Sequence, residues 1–272
     1  MGMHLLFIAF GLVIASCGTN SSWYQRFEQS RTMTAPSIQV APADPLRFTF
    51  AIVGDLHVGG TNTSRFRQIL AAAQNENDQF IVLLGDITDR GEADAFQAVQ
   101  QALTDYGFQN KVLPILGNHD VFSQGWDEYK KIWGPAHYRV TFGNAQLIAL
   151  DSADGILGEE QFDWLQEQFQ GAKPTHTFLL THYMPVVPGQ RTYLRLANQS
   201  EAERLMKLAS REGVRSVLGG HYHSYCREQI AGVEYVVAGG GGGRRMDPIR
   251  DYFFVQVRVD GESVTYELRT LP

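Results

Sequence analysis

Five short apolar runs, far apart along the chain, each lead into carboxylate, carboxamide or imidazole side chains. The run 47–53 leads into Gly54-Asp55-Leu56-His57, and the run 80–84 into Gly85-Asp86. The run 112–116 carries Gly117-Asn118-His119-Asp120, and 175–181 ends at His182. The run 215–218 opens onto Gly219-Gly220-His221-Tyr222-His223. Short apolar runs bounded by turn residues read as buried strands. A polar side chain just beyond such a strand lies at the carboxyl edge of a sheet, where open α/β folds hold their ligands. One such residue, Asp86, reads equally well as a helix N-cap. Capping does not account for five repeats that take in five of the eight histidines.

Between these runs, helices are expected over 64–74, 93–106, 124–133, 159–169 and 200–211, with Ser64 as the N-cap of the first and a further strand over 145–150 ending at Asp151. After His223 only strands are expected, over 233–238, 252–259 and 263–269. Strand–helix alternation followed by a strand-only tail predicts a single α/β domain with two sheets and mixed pairing. Pro114 argues against a central, fully paired place for the third run.

The 272 residues are 44% hydrophobic and 19% charged, an ordinary globular balance that can bury a full core. The net charge of -6 argues against stable nucleic-acid binding. A phosphorylated small molecule or a phosphodiester stays open as substrate, because a bound metal reverses the local field.

Gathering imidazoles and carboxylates at one buried edge costs on the order of several kcal/mol per charge unless something compensates. Metal ions compensate. The donors are oxygen and imidazole without thiolate, a set that suits Mn, Fe or Zn. Asp55, His57, Asp86, Asn118, His182, His221 and His223 are too many for one ion. They suffice for two ions about 3.5–4 Å apart that share a carboxylate.

The ordered set GDLH, GDITDRG, GNHD, THYMP and GGHYH, from Gly54 to His223, resembles the calcineurin-like metallophosphoesterases. The resemblance implies a β-sandwich of two mixed sheets flanked by helices, and hydrolysis of phosphoester bonds. It places one metal on Asp55, His57, Asp86 and His223, and the other on Asp86, Asn118, His182 and His221. Asp86 then bridges, and hydroxide between the ions is the nucleophile. His119 matches the family's leaving-group acid, a role that suits imidazole near neutral pH. Asp120 either orients His119 or has a supporting or capping role.

Arg90 matches an arginine that grips phosphate oxygens in the protein-phosphatase branch; a solvated arginine at a helix start is the alternative. Phosphoprotein phosphatases do not usually carry G-H-x-H in this form, and His182-Tyr183-Met184-Pro185 looks more like the small phosphodiesterase and acid-phosphatase branches. Asp89 stands where purple acid phosphatases place a metal-binding Tyr. Tyr222 either lines the pocket or packs as an aromatic. The five glycines 239–243, ahead of Arg244-Arg245, read as a flexible turn or, alternatively, a phosphate cradle. The rival to catalysis is a binding or scaffold protein that keeps this fold without turnover.

The stretch Leu5 to Ala15 is too short for a membrane span and has the size of a signal-peptide core. It runs into Ile14-Ala15-Ser16-Cys17, which resembles the bacterial lipobox, although only His4 precedes it as a potential cation. The resemblance implies a processed signal over 1–17 and a lipidated Cys17 holding the protein to the bacterial envelope, outside the cytoplasm. Gly18 leans towards the outer membrane if the source is Gram-negative. Cys226 is then alone. Residues 18–45, rich in Ser, Thr, Asn, Gln and Pro, read as a flexible tether. Trp23, Tyr24 and Phe27 would form a short amphipathic turn at the membrane surface. The family resemblance implies a metallophosphoesterase domain over residues 46–272.

Overall fold

The computed structural model describes residues 21–60, 62–187, 189, 194–246 and 251–271. One sheet holds β1 (Arg47–Val53), β2 (Ile81–Leu84), β3 (Val112–Ile115), β10 (Phe253–Asp260) and β11 (Ser263–Thr270). Its order is β11-β10-β1-β2-β3, with β1, β2 and β3 parallel and β10 antiparallel to β1. The other sheet holds β4 (Tyr138–Phe142), β5 (Ala145–Ala149), β6 (His176–Leu180), β7 (Ser216–Gly219), β8 (Tyr225–Ile230) and β9 (Val233–Ala238). Its order is β4-β5-β6-β7-β9-β8. Pro114 pairs on one side only, because β3 is an edge strand.

Alternation along the strands sets the layers. Phe50, Ile52, Val82 and Leu84 pack with Leu147, Phe178, Leu180 and Val236 to form the core between the sheets. Their neighbours Ala51, Val53, Ile81 and Leu83 face the other way, against α2 (Ser64–Asn75), α3 (Ala93–Asp105) and α4 (Gly125–Trp133). On the second sheet Ile148, Leu179, Val217 and Tyr235 pack against α5 (Glu159–Gln168) and α6 (Gln199–Arg211). Strands covered on both faces read as continuous apolar runs, which is why they are visible in the sequence. The result is the expected sandwich of two mixed sheets flanked by helices. Thr63, not Ser64, is the N-cap of α2.

The tether reading of 18–45 is corrected over its described part. Trp23–Ser30 is α1, opened by a capping box in which Ser22 and Gln25 bond each other's backbone. Trp23 and Phe27 are buried in the domain, and only Tyr24 of the three aromatics is exposed. The Arg26 guanidinium is fully buried and bonds Asp151 at 2.8 Å and Asp154 at 3.0 Å. The signal segment 1–17 and Cys17 lie outside the described residues. Among the described residues no helix is long and apolar enough to cross a membrane.

Candidate metal centre

The seven side chains meet at one edge of the sandwich. Asp55 and His57 follow β1, Asp86 follows β2, and Asn118 follows β3. His182 follows β6, and His221 and His223 follow β7. Four of these residues have left-handed backbone: Asp55 (φ 59°), His57 (46°), Asp86 (49°) and His221 (65°). Each costs about 1–2 kcal/mol relative to ordinary backbone. Hydrogen bonds hold them there: Asp55 N donates to the Gly85 carbonyl at 3.0 Å, and His57 N to the Asp86 carbonyl at 2.9 Å. His221 N donates to Asp55 Oδ1 at 3.1 Å. Strain concentrated in this way marks a functional site.

The donors fall into two groups that share Asp86. On one side His57 Nε2 is 3.5 Å from Asp86 Oδ2 and 3.1 Å from His223 Nε2. His223 Nε2 is 3.5 Å from Asp55 Oδ1. On the other side His182 Nε2 is 3.4 Å from Asp86 Oδ1, and Asn118 Oδ1 is 3.1 Å from both His182 Nε2 and His221 Nδ1. Each oxygen of Asp86 thus faces one group.

The second nitrogen of three imidazoles is pinned by a carbonyl. His182 Nδ1 bonds Leu84 at 2.8 Å, His223 Nδ1 bonds Arg244 at 2.9 Å, and His119 Nδ1 bonds Asp89 at 2.7 Å. Donation of N–H to a carbonyl fixes the tautomer and leaves Nε2 of each ring free to ligate or to carry a proton.

The electrostatics call for a cation. Burial pushes the Asp55 carboxyl up to about 8, against the pull of His182 and with a further push from Asp86. Burial also lowers His57 to about 4, and burial plus His182 lowers His221 to about 3. His182 is the exception: burial opposes its charge, but Asp86, Asp55 and the Leu84 carbonyl together raise it to about 9. Asp55 Oδ2 is buried without a hydrogen-bond partner among the described residues. An orphaned carboxylate oxygen in the group of Asp55, His57, Asp86 and His223, and an Asp86 that holds His182 on its other side, fit a cation in each donor group.

The glycine run 239–243 is neither a free turn nor an open cradle. Gly241 N donates to the Gly54 carbonyl at 3.0 Å and Gly243 N to the Asp55 carbonyl at 2.8 Å, so these amides are spent. A Cβ at Gly243 would lie 2.5 Å from His223 Cε1, and one at Gly239 would lie 2.6 Å from Asp55 Oδ2. The backbone passes so close beneath the ligands that no side chain fits.

Other expected site residues are placed differently. Asp120 is buried, and its carboxylate accepts from the backbone of Gly117, Ile87 and Thr88 at 2.8–3.1 Å. It locks the two loops carrying Asp86 and Asn118 together rather than orienting the His119 ring. The Asp89 carbonyl orients His119 instead, and the Asp89 carboxylate stands 3.4 Å from His57 Nδ1 and 3.9 Å from His119 Nδ1. This residue is the one the sequence reading missed; the second Asp of GDITD was its signal. Arg90 is 77% exposed and leans on Asp89 at 3.7 Å, outside both donor groups. Tyr222 packs into the core on the helix-covered face of the second sheet, whereas the Tyr183 ring lies 3.8 Å from that of His221. His137 and His176 have other partners: His137 stacks on Phe27, and His176 bonds the Gly261 carbonyl.

The model of the calcineurin-like phosphoesterase family, whose members hydrolyse phosphoesters, matches residues 48–225. A probable cyclic nucleotide phosphodiesterase of Fibrobacter succinogenes is 30% identical over 155 residues, 55% of this chain and 59% of that protein. A probable cyclic nucleotide phosphodiesterase of Rhodococcus erythropolis is 26% identical over 200 residues, 68% of this chain and 65% of its own length. The chain therefore spans about three-fifths of the length of these relatives. In fold it is similar to a purple acid phosphatase from yellow lupin (Lupinus luteus), with a TM-score of 0.70 at 15% identity, covering 85% of this chain and 53% of that one. Sandwich, shared carboxylate and matched span agree: the chain belongs to the calcineurin-like phosphoesterase family.

Proposed function

We propose that this chain hydrolyses phosphodiesters, with 3′,5′-cyclic nucleotides as the substrate class, at a centre of two metal ions of the Mn, Fe or Zn type. The observation that carries the reading is Asp86, with one oxygen turned to each donor group. The diester preference is supported by the two relatives named above as probable cyclic nucleotide phosphodiesterases. Asp55, His57, Asp86 and His223 would hold one ion, and Asp86, Asn118, His182 and His221 the other. Bound there, the ions supply charge neutralisation for the phosphate and an activated water.

The chain's own residues do the rest. His119 donates Nδ1–H to the Asp89 carbonyl, which leaves Nε2 to deliver a proton to the departing oxygen. Its side chain is 32% exposed, so substrate reaches it. Asp120 keeps the loops after β2 and β3 in register, and with them Asp86, Asn118 and His119. Metal-loaded protein is expected to cleave bis-aryl phosphates and cyclic nucleotides faster than mono-aryl phosphates. Turnover of mono-aryl phosphates alone would defeat the diesterase reading, and absence of any turnover would leave the scaffold alternative.

We further propose that lipidated Cys17 anchors the chain outside the cytoplasm. Because α1 opens at Trp23 and packs on the domain, the anchor would sit only a few residues ahead of folded structure. Cys17→Ala is expected to move the protein from the membrane to the soluble fraction; unchanged partition would refute the anchor.

A further inference from the structure

Beside His57, between β1 and α2, lies a cavity of about 310 Å³ walled by Leu56, His57, Gly59, Asn62, Ser64 and Arg65. It adjoins the metal ligands, yet none of the roles assigned above uses it. Arg65, the one Lys or Arg among the described lining residues, is held in place from two sides. Arg65 Nη1 donates to the Gly242 carbonyl at 3.1 Å, and the guanidinium lies 4.0 Å from the centre of the Tyr252 ring. Nε and Nη2 carry no hydrogen bond among the described residues. The Asn62 amide is oriented as well: its Oδ1 accepts from Ser64 N at 3.3 Å and from Ser64 Oγ at 2.9 Å. Its NH₂ group is left to donate. Two side chains of this cavity therefore offer fixed N–H donors, and a guanidinium fork preset in this way loses little entropy when it binds.

A 3′,5′-cyclic nucleotide has one phosphate, which the metal centre takes, so the acceptors for these donors must come from the nucleoside. Guanine offers two adjacent acceptors, O6 and N7, which suit the fork of an arginine, whereas adenine places an amine donor beside N7. We propose that the cavity seats the nucleobase of a cyclic nucleotide, and that Arg65 together with Asn62 selects guanine over adenine. This rests on the diesterase reading above.

The test is the ratio of kcat/KM for cGMP to that for cAMP, measured on the metal-loaded full chain. A ratio is unaffected by the fraction of a variant that folds. The wild type is expected to favour cGMP by about tenfold, the size of one bidentate contact to a base. Arg65→Lys keeps the charge and loses the fork, and should bring the ratio close to one. Asn62→Asp keeps the acceptor towards Ser64 and replaces the donor by an acceptor, and should tilt the ratio towards cAMP. A wild-type ratio at or below one, or a tenfold ratio that survives in both Arg65→Lys and Arg65→Ala, overturns the proposal and leaves the diesterase reading standing. Hydrolysis of bis-aryl phosphate with no turnover of either cyclic nucleotide removes the substrate class, and the proposal with it.

Discussion

At the face covered by α1, a fully buried guanidinium, Arg26, meets the carboxylates of Asp151 and Asp154 at 2.8 and 3.0 Å. At the carboxyl edge of the sheets, Asp55 and Asp86 are as deeply buried, but of the imidazoles around them burial keeps His57 and His221 neutral and only His182 is raised, and one Asp55 oxygen has no hydrogen-bond partner among the described residues. The first cluster carries its own counterion and closes on itself. The second is short of positive charge and is built on strained backbone. Burial of charge alone thus does not identify a functional site; a buried cluster that the chain leaves electrically incomplete does.

The contrast can be broken most severely at the shared carboxylate. Asp86→Asn should remove diesterase turnover, a loss on the order of 10⁴-fold given how residues that act as a unit behave. Retained activity, assayed on bis-aryl phosphate, would mean that the two donor groups do not work together. At the self-sufficient cluster the loss should appear in stability. Arg26→Met leaves two carboxylates near an apolar side chain and should cost about 3–5 kcal/mol in chemical denaturation. Replacing Asp151 by Leu in the same variant should recover much of that loss, because the uncompensated charge is then gone.

A subtler break is Gly243→Ala. The new methyl would press on the His223 ring, and metal affinity, read by competition with a chelating dye, should fall about 10–100-fold. Wild-type affinity in this variant would show that the close approach is incidental.

The smallest expected effect sharpens the comparison through pH. Burial, aided by Arg31, lowers His137 from its ordinary 6.5 to about 4. Between those values the folded state binds fewer protons than the unfolded one, so stability is lost as pH falls. Going from pH 7 to pH 5 should cost about 2 kcal/mol from this residue. His137→Phe, which preserves a ring against Phe27, should flatten that slope in denaturation curves.

What the sequence made legible follows from where each element is buried. β1, β2, β6 and β7 are buried along nearly their whole length and read as mainly apolar runs ending at their ligands. β4 and β8 are edge strands with exposed positions, and Tyr225 to Ile230 in particular looks polar, so neither was read as a strand. α1 was missed because its buried face is two aromatics and an arginine, and the partners that make this arginine internal lie more than 120 residues away. The capping box at Ser22 was the local signal. The ligand loops were readable from residue type, whereas the supporting contacts were not. That Asp120 would bond three backbone amides, and that the carbonyl of Asp89 would orient His119, depends on loop geometry that only the packed sheets impose.

The central claim is that one buried carboxylate organises two cation sites, and metal stoichiometry tests it most directly. Titration of chelator-treated protein with Mn or Zn, followed by calorimetry and elemental analysis, should find two equivalents bound per chain, and fewer than one retained after gel filtration in Asp86→Asn. Binding of no metal, or two full equivalents in the Asp86→Asn chain, would contradict it.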